Sequence, residues 1–441
     1  MGSSLFFRHA LLPTGWAEDV GISIIDGLIS AVTTSAPPPP NAVTQPGIAL
    51  PGIANLHSHS FQRAISGLTE YRDAATNTAN FWTWRDMMYR FALAMDPDDV
   101  EAVATLAFIE MLESGFTSVL EFHYLHHAPD GGHYTNIAEL SSRIAAAAAG
   151  AGIDLTIAPV FYAQGDFAAA PPSPSQRRFI SDLDDYETLL RACEPLARMV
   201  IAPHSLRAVT PEQLSALTGL VRPGQPIHIH IAEQTAEVEA CLAWSGQRPV
   251  EWLRAHADVN PQWCLIHATH TTDDERAGIA RSGAMVGLCP LTEADLGDGI
   301  FPLRDYAGAW GLGSDSNIQI SLAAELRMLE YVQRLHYRQR NILATTALPA
   351  TATAAYQAAC AGGAQALAIN HGITPGAPAN IIALAGDAPD IALAQFVFGG
   401  RQLLTDVWVH GTKRVAAGRH NLAAQAEARF NRVLHKILER T

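Results

Sequence analysis

The stretch Leu50-Pro51-Gly52-Ile53-Ala54-Asn55-Leu56-His57-Ser58-His59 decides the fold that we predict for this chain. An apolar run that ends in histidines is typical of a buried strand that presents polar side chains at its carboxyl end. Because residues i and i+2 lie on one face of a strand, His57 and His59 can converge on one ion. A lone His-x-His pair is equally consistent with two packed core histidines. The choice between a metal site and core packing therefore depends on the other motifs of the chain.

Seven further short apolar runs follow, separated by longer segments with the apolar spacing of amphipathic helices. With the first, the eight runs are residues 49–56, 117–122, 155–162, 199–203, 227–231, 263–266, 284–288 and 310–313. Strands that alternate with helices pair in parallel, and eight such units predict an α/β fold, a TIM-like (β/α)8 barrel. We expect this barrel to span residues 49–372.

The two ends of the chain have a different pattern. Residues 1–48 and 373–420 carry short or alternating apolar strands separated by proline and glycine. We expect them to pair into one small β-sandwich domain. Apolar side chains at Phe430, Val433, Leu434 and Ile437 then predict a C-terminal helix within residues 421–441.

Composition excludes several classes of protein. The 441 residues are 48% hydrophobic and 16% charged, which is enough apolar material for a large core. A net charge of −14 without a long basic run argues against a nucleic-acid partner, while a small anionic substrate could still bind to locally placed arginines. The five cysteines form no Cys-x-x-Cys pair, and neither a signal peptide nor a membrane span of about 20 apolar residues is evident. We therefore expect a cytoplasmic protein without a membrane partner.

Lysine occurs only at Lys413 and Lys436. The main body therefore lacks the lysine needed for a Schiff base, a phosphate-binding loop or a carbamate that bridges two metals. Any metal site in that part of the chain has to be built without lysine, which agrees with a single ion.

Other predicted strands also end in histidines or carboxylates. The fifth contains His228 and His230 and is followed by Glu233, the sixth is followed by His267, and the eighth by Asp315. Such recurrence at the strand ends of one barrel indicates an active site and not a set of unrelated core histidines. His228 and His230 share one strand face, so both are candidate ligands; His230 is favoured because it lies nearer the strand end and Glu233.

Taken together, these motifs resemble the amidohydrolase superfamily, and within it the aminohydrolases that use one metal ion. The resemblance covers nearly the whole chain, including residues 373–381, which are similar to the family's return into its β domain. It implies that His57, His59, His230 and Asp315 hold one divalent ion. Zn²⁺ is favoured for such a donor set, and Fe²⁺ or Mn²⁺ would accept it as well.

Four further stretches resemble, within this superfamily, the deiminases that act on N-formimino-L-glutamate in histidine degradation; they are residues 60–64, 81–85, 121–124 and 203–207. This substrate carries two carboxylates, and a guanidinium holds a carboxylate through two parallel hydrogen bonds. We therefore assign Arg85 and Arg207 to the carboxylates, and Gln62, Tyr124 and His204 to the remaining polar contacts.

The reaction that this resemblance implies converts N-formimino-L-glutamate and water to N-formyl-L-glutamate and ammonia. Asp315 and His267 would orient the water and accept its proton, and Glu233 would pass a proton to the departing nitrogen. Arg85 could instead form an ordinary salt bridge on a helix, but the three aromatic residues before it favour a loop that closes over a pocket. Of these, we expect Trp82 and Trp84 to pack and not to contact the substrate.

Two other functions stay open. A deaminase of a purine, pterin or triazine ring would show aromatic or amide contacts to the ring in place of paired arginines. A non-catalytic scaffold protein of the same fold would have lost ligands, whereas this chain retains all four. The resemblance also implies a homodimer.

Overall fold

The computed structural model describes residues 2–39, 41–72 and 80–441. In chain order its strands are β1 (Ser3–Leu12), β2 (Gly15–Ile25), β3 (Leu28–Thr33), β4 (Val43–Thr44), β5 (Ile48–Pro51), β6 (Ile53–Ser58), β7 (Phe116–His123), β8 (Asp154–Phe161), β9 (Arg198–Met199), β10 (Ala202–Pro203), β11 (Ile227–Ile231), β12 (Trp263–His267), β13 (Met285–Leu288), β14 (Ala309–Leu312), β15 (Ile381–Leu384), β16 (Leu404–Val409), β17 (Thr412–Ala416) and β18 (Arg419–His420).

The α-helices are α1 (Phe81–Ala94), α2 (Pro97–Ser114), α3 (Glu139–Ala151), α4 (Leu183–Cys193), α5 (Pro211–Gly219), α6 (Thr235–Ser245), α7 (Pro249–His256), α8 (Asp273–Ser282), α9 (Pro290–Leu296), α10 (Leu322–Tyr337), α11 (Thr351–Leu367), α12 (Pro389–Phe398) and α13 (Ala423–Leu438). Short 3₁₀ helices cover Ser60–Ile65, Pro174–Gln176 and Leu303–Asp305. Within the described ranges, none of the helices is both long and apolar enough to cross a membrane.

The eight predicted runs all contain strand, and these strands pair in parallel. One sheet has the order β6-β7-β8-β10, with β9 beside β8, and a second has the order β11-β12-β13-β14. Isolated parallel bridges join the two sheets, between Ile201 and Ile227 on one side and between Ser58 and Asp315 on the other. The predicted α/β class with parallel strands is confirmed, and the carboxyl ends of the strands meet at one edge.

Strands from both ends of the chain lie in a third sheet of nine strands. Its order is β18-β17-β16-β15-β5-β1-β2-β3, with β4 beside β1. We expected a small β-sandwich domain here, and these strands are hydrogen-bonded into one continuous sheet. Residues 389–398, within the tail expected to be β-structure, form helix α12, and α12 packs against α10 and α11.

The run predicted as one strand over residues 49–56 is two strands that belong to different sheets. Strand β5 pairs with β1 and β15, whereas β6 pairs with β7. The break falls at Gly52, where a Cβ atom would collide with the side chain of Thr117. Glycine therefore permits the close approach at which the chain passes from one sheet to the other.

Helix α1 is anchored at both ends. Asn80 caps its first turn by accepting hydrogen bonds from the backbone N–H groups of Trp82 and Thr83. At the other end, the fully buried Arg178 donates to the backbone carbonyls of Ala92 and Met95. A cation is favourable at the negative end of the helix dipole, so Arg178 stabilises the carboxyl end of α1.

Candidate active site

Four predicted ligands meet at the carboxyl ends of three strands. His57 lies in β6 and His59 just beyond it, His230 lies in β11, and Asp315 follows β14; their donor atoms all lie within 4.8 Å of one another. His57 Nε2 is 3.1 Å from His59 Nε2 and 3.0 Å from His230 Nε2. Asp315 Oδ1 lies 3.2 Å from His59 Nε2 and 3.5 Å from His57 Nε2.

Hydrogen bonds on the far side of two imidazoles decide which nitrogen faces the centre of this group. His59 Nδ1 donates to the Phe122 carbonyl at 2.8 Å, and His230 Nδ1 donates to the His204 carbonyl at 3.0 Å. The Nε2 atoms of both rings therefore turn lone pairs inward. Burial lowers the pKa of His57 to about 3 and holds the pKa of His230 well below its usual value, so these rings stay neutral. Converging lone pairs beside a carboxylate fit a divalent cation.

His228, the competing candidate, lies outside this group. Its Nε2 atom is 2.8 Å from the carbonyl of Ala366 in α11, and its Nδ1 atom is buried without a partner. The structure thus brings His230, and not His228, to the other three predicted ligands.

The predicted proton-transfer residues border the same group. His267 Nε2 lies 3.6 Å from Asp315 Oδ2 and 3.9 Å from Glu233 Oε1. Burial alone would lower the pKa of His267, but the surrounding carboxylates raise it to about 10. Burial raises the pKa of Glu233. Sequence reasoning missed Glu293, whose Oε1 atom lies 3.3 Å from His267 Nδ1 and orients the ring.

The backbone turns sharply where these residues leave their strands. Ala232, His267 and Asp315 have φ values of 52°, 67° and 44°, in the left-handed region that residues with a side chain seldom adopt. Strain of this kind is common at active sites, where the surrounding structure enforces it. The three strained residues lie at or just beyond the carboxyl ends of β11, β12 and β14, next to the predicted ligands.

The five predicted substrate contacts line one cavity together with His59, His230 and Asp315; they are Gln62, Arg85, Tyr124, His204 and Arg207. Among the described residues, neither Arg85 nor Arg207 has an ion-pair or hydrogen-bond partner, and the Nε atom of each is buried. The guanidinium of Arg85 lies over the Trp82 ring, 4.3 Å from its centroid. Two guanidiniums in one cavity, each without an ion-pair partner, can each bind an anionic group.

The other polar groups of the cavity keep their hydrogen-bonding capacity. Gln62 Nε2 donates to the Tyr124 hydroxyl at 2.6 Å, which leaves the buried Gln62 Oε1 without a partner. Burial raises the pKa of Tyr124 well above its usual value and lowers that of His204, so both are neutral. Neutral donors and acceptors beside the arginines suit a polar, charged ligand.

The aromatic wall of the cavity extends beyond the residues next to Arg85 from which we predicted a pocket. It consists of Phe81, Trp84, Tyr89, Tyr162 and Phe179. Three of its members lie on α1 with Arg85, at positions that recur every three to four residues and so share one helix face. The expectation of a loop at Arg85 was wrong, because Phe81–Ala94 form a helix, and the helical spacing of these residues was the available signal.

Comparison with known proteins agrees with this geometry. The model of the amidohydrolase family matches residues 48–414. A solved amidohydrolase from Brucella melitensis superimposes with a TM-score of 0.94 at 46% identity, over 99% of this chain and 100% of that one. An adenosine deaminase from Xanthomonas campestris, solved with bound Zn, shares the fold with a TM-score of 0.78 at 22% identity, over 98% of both chains. The chain belongs to the amidohydrolase family.

A narrower assignment follows from two further matches. The model described as "Formimidoylglutamate deiminase HutF, N-terminal domain" matches residues 3–42. The formimidoylglutamate deiminase of Pseudomonas aeruginosa is 44% identical over 455 aligned residues, covering 99% of this chain and 100% of that protein. Within the amidohydrolases, the chain belongs with the formimidoylglutamate deiminases.

Proposed function

We propose that this chain is a metal-dependent deiminase that hydrolyses N-formimino-L-glutamate to N-formyl-L-glutamate and ammonia, a step of histidine degradation. One observation carries the choice of substrate. Arg85 and Arg207 line the cavity that holds the ligand group, and among the described residues neither has a carboxylate within ion-pair distance, although Glu237 and Glu233 act on Arg207 from farther away. A substrate with two carboxylates supplies the missing partners.

The metal is part of the proposal. His57, His59, His230 and Asp315 would hold one divalent ion, and three imidazoles with one carboxylate suit Zn²⁺. Bound there, such an ion would lower the pKa of a water molecule towards about 7 and so would provide a nucleophile at neutral pH.

The protein groups around that water divide the proton transfers between them. Asp315 accepts a proton from the water, and His267, whose pKa of about 10 keeps it protonated, orients the water by donating a hydrogen bond. Attack on the formimino carbon gives a tetrahedral centre with one oxygen and two nitrogens. Glu233, whose pKa is raised by burial, passes the proton taken from the water to the terminal nitrogen. It then transfers the remaining hydroxyl proton of the tetrahedral centre to the same nitrogen. As this proton moves, the C=O bond forms, the C–N bond breaks and the nitrogen leaves as ammonia.

The other residues of the cavity bind and orient the substrate. Arg85 and Arg207 each bind one carboxylate, while Gln62, Tyr124 and His204 contact the remaining polar atoms. The aromatic wall excludes water and thereby strengthens these ion pairs.

The alternatives explain these contacts less well. A purine, pterin or triazine ring would leave both guanidiniums desolvated and unpaired, which is costly. A scaffold protein would not need histidine lone pairs that converge on one point, or strained backbone at the ends of the strands.

The proposal includes the finer architecture. The eight parallel strands close into a (β/α)8 barrel, a closure supported by the bridges at both junctions between the two sheets. Residues 1–48 and 373–420 form the small β domain, and the pairing of Ile48–Pro51 with β1 and β15 favours a boundary at Gly52 instead of residue 49. Residues 421–441 form the C-terminal helical segment, the chain assembles as a homodimer, and it acts in the cytoplasm.

A substrate panel tests the proposed activity. Protein loaded with one Zn²⁺ per chain should release ammonia from N-formimino-L-glutamate far faster than from guanine, a pterin or an aminotriazine. Preference for any ring substrate would move the chain to the ring-deaminase alternative, and no release from any substrate would favour the scaffold.

A further inference from the structure

We propose that Cys289, His267 and Asp315 form a second cation site, which takes a thiophilic divalent ion and inhibits the enzyme when it is filled. One donor atom from each of these three buried residues lies within 4.8 Å of the other two. This group differs from the ligand group of the first site, with which it shares only Asp315.

Three neighbouring strands bring the donors together. His267 ends β12, Cys289 directly follows β13, and Asp315 lies just beyond β14, and these strands are consecutive in the second parallel sheet. Gly313 makes room for the thiol, because a Cβ atom there would lie 2.9 Å from Cys289 Sγ. The thiol is fully buried, is not part of a disulfide and makes no hydrogen bond to any described residue.

The two oxygens of Asp315 serve different neighbours. Oδ1 faces His57 and His59 at 3.5 and 3.2 Å, whereas Oδ2 faces His267 Nε2 at 3.6 Å. A first ion that uses Oδ1 therefore leaves Oδ2 available to a second ion between Cys289 and His267. A carboxylate can bridge two ions in this way.

The chemistry of the donors selects the ion. One sulfur, one imidazole nitrogen and one carboxylate oxygen favour excess Zn²⁺ or the softer Cd²⁺ over Mg²⁺ and Ca²⁺. On binding, the sulfur–metal bond forms and the S–H bond of Cys289 breaks, and His267 loses the proton on the nitrogen that coordinates the ion. Both protons go to solvent. No electron transfer is involved.

Inhibition follows from the residues that the second ion occupies. Asp315 and His267 are the groups that handle the water in the proposed reaction, whereas Arg85 and Arg207 remain free for substrate. Filling the second site should therefore lower kcat and leave KM nearly unchanged. This inhibition rests on the proposed function, but binding of the second ion does not.

The test is a Cd²⁺ titration of protein that already holds one Zn²⁺ per chain. Bound Zn²⁺ and Cd²⁺, the near-ultraviolet thiolate-to-Cd²⁺ charge-transfer band and turnover are measured on the same samples. We expect one Cd²⁺ per chain in addition to the retained Zn²⁺, with the band and the fall in kcat rising together. Wild-type protein that shows no band and no second ion at a large excess of Cd²⁺ would refute the site without any variant.

Matched variants assign the sulfur. Cys289→Ser should lose the band and raise the Cd²⁺ concentration for half-inhibition by at least about tenfold. Cys264→Ser removes another buried thiol, on the adjacent strand β12 but outside the group, and should behave like wild type. An unchanged band in Cys289→Ser, or its loss only in Cys264→Ser, would overturn the proposal. A band with bound Cd²⁺ in protein that has no deiminase activity would support the site and reject the proposed function instead.

Discussion

Replacing Arg207 with methionine should strongly lower kcat/KM and leave the fold intact. Arg207 lines the cavity without an ion-pair or hydrogen-bond partner among the described residues, so its removal breaks no internal contact of that kind. Methionine keeps much of the apolar stem and deletes the guanidinium. Burial alone would lower the pKa of Arg207, but the charges of Glu237 and Glu233 raise it, so these two effects oppose each other and we expect the melting temperature to change little.

The size of the kinetic effect follows from the contact that is lost. Truncating one partner of a buried, hydrogen-bonded charge pair costs roughly 2–5 kcal/mol. At 1.36 kcal/mol for each factor of ten, kcat/KM for N-formimino-L-glutamate should fall by about 30-fold to about 5,000-fold. Arg85→Met should show a loss in the same range.

The assay compares N-formimino-L-glutamate with a formimino amino acid that has a single carboxylate. Wild-type enzyme should strongly prefer the first, and the variant that lacks the matching arginine should discriminate far less. Arg178→Met is the control, because Arg178 is fully buried and donates to the carbonyls of Ala92, Met95 and His127. That variant should lose stability, since each carbonyl left unsatisfied costs roughly 1–3 kcal/mol.

Equal wild-type activity on the one- and two-carboxylate substrates would refute the assignment of the arginines. A large drop in the melting temperature of Arg207→Met would show instead that Arg207 has a structural role.

Three other changes test the rest of the site. Glu233→Gln keeps the size of the side chain and removes the proton carrier, so kcat should fall by at least about 100-fold while elemental analysis still finds the metal. Asn317→Asp loses the amide donor that bonds Ser58 Oγ at 3.2 Å and the carbonyls of His59 and Asp315 at 3.1 Å each, so a chelator should strip the metal faster than from wild type. Removing the ion from wild-type protein leaves the inward-facing lone pairs without a cation, and calorimetry should show a lower melting temperature that Zn²⁺ restores.

The features predicted correctly from the sequence are those that short spacing encodes. Apolar periodicity located the eight runs, and the period of two along β6 indicated that His57 and His59 would point to one place. The break at Gly52 depends on the side chain of Thr117, far away in the chain, and no local pattern reports it.

Contacts between distant segments could not be predicted from the sequence either. Asn317 bonds to the end of β6 across 258 or 259 positions, and Arg178 bonds to the end of α1 across 83 or 86. A single residue such as Asn317 or Arg178 is not part of a repeating pattern, so the sequence does not indicate its distant partner. The aromatic face of α1 was different, because Phe81, Arg85 and Tyr89 follow a helical repeat that local reasoning can detect.

The most direct measurement identifies which carbon–nitrogen bond of N-formimino-L-glutamate is broken. Nuclear magnetic resonance of a ¹³C-labelled formimino carbon distinguishes the products during turnover by protein that holds one Zn²⁺ per chain. Protonation of the terminal nitrogen by Glu233 predicts N-formyl-L-glutamate and one ammonia for each substrate consumed. Formamide and glutamate would show that the other nitrogen leaves, and an unchanged signal would show that the chain does not act on this substrate; either result would contradict the account.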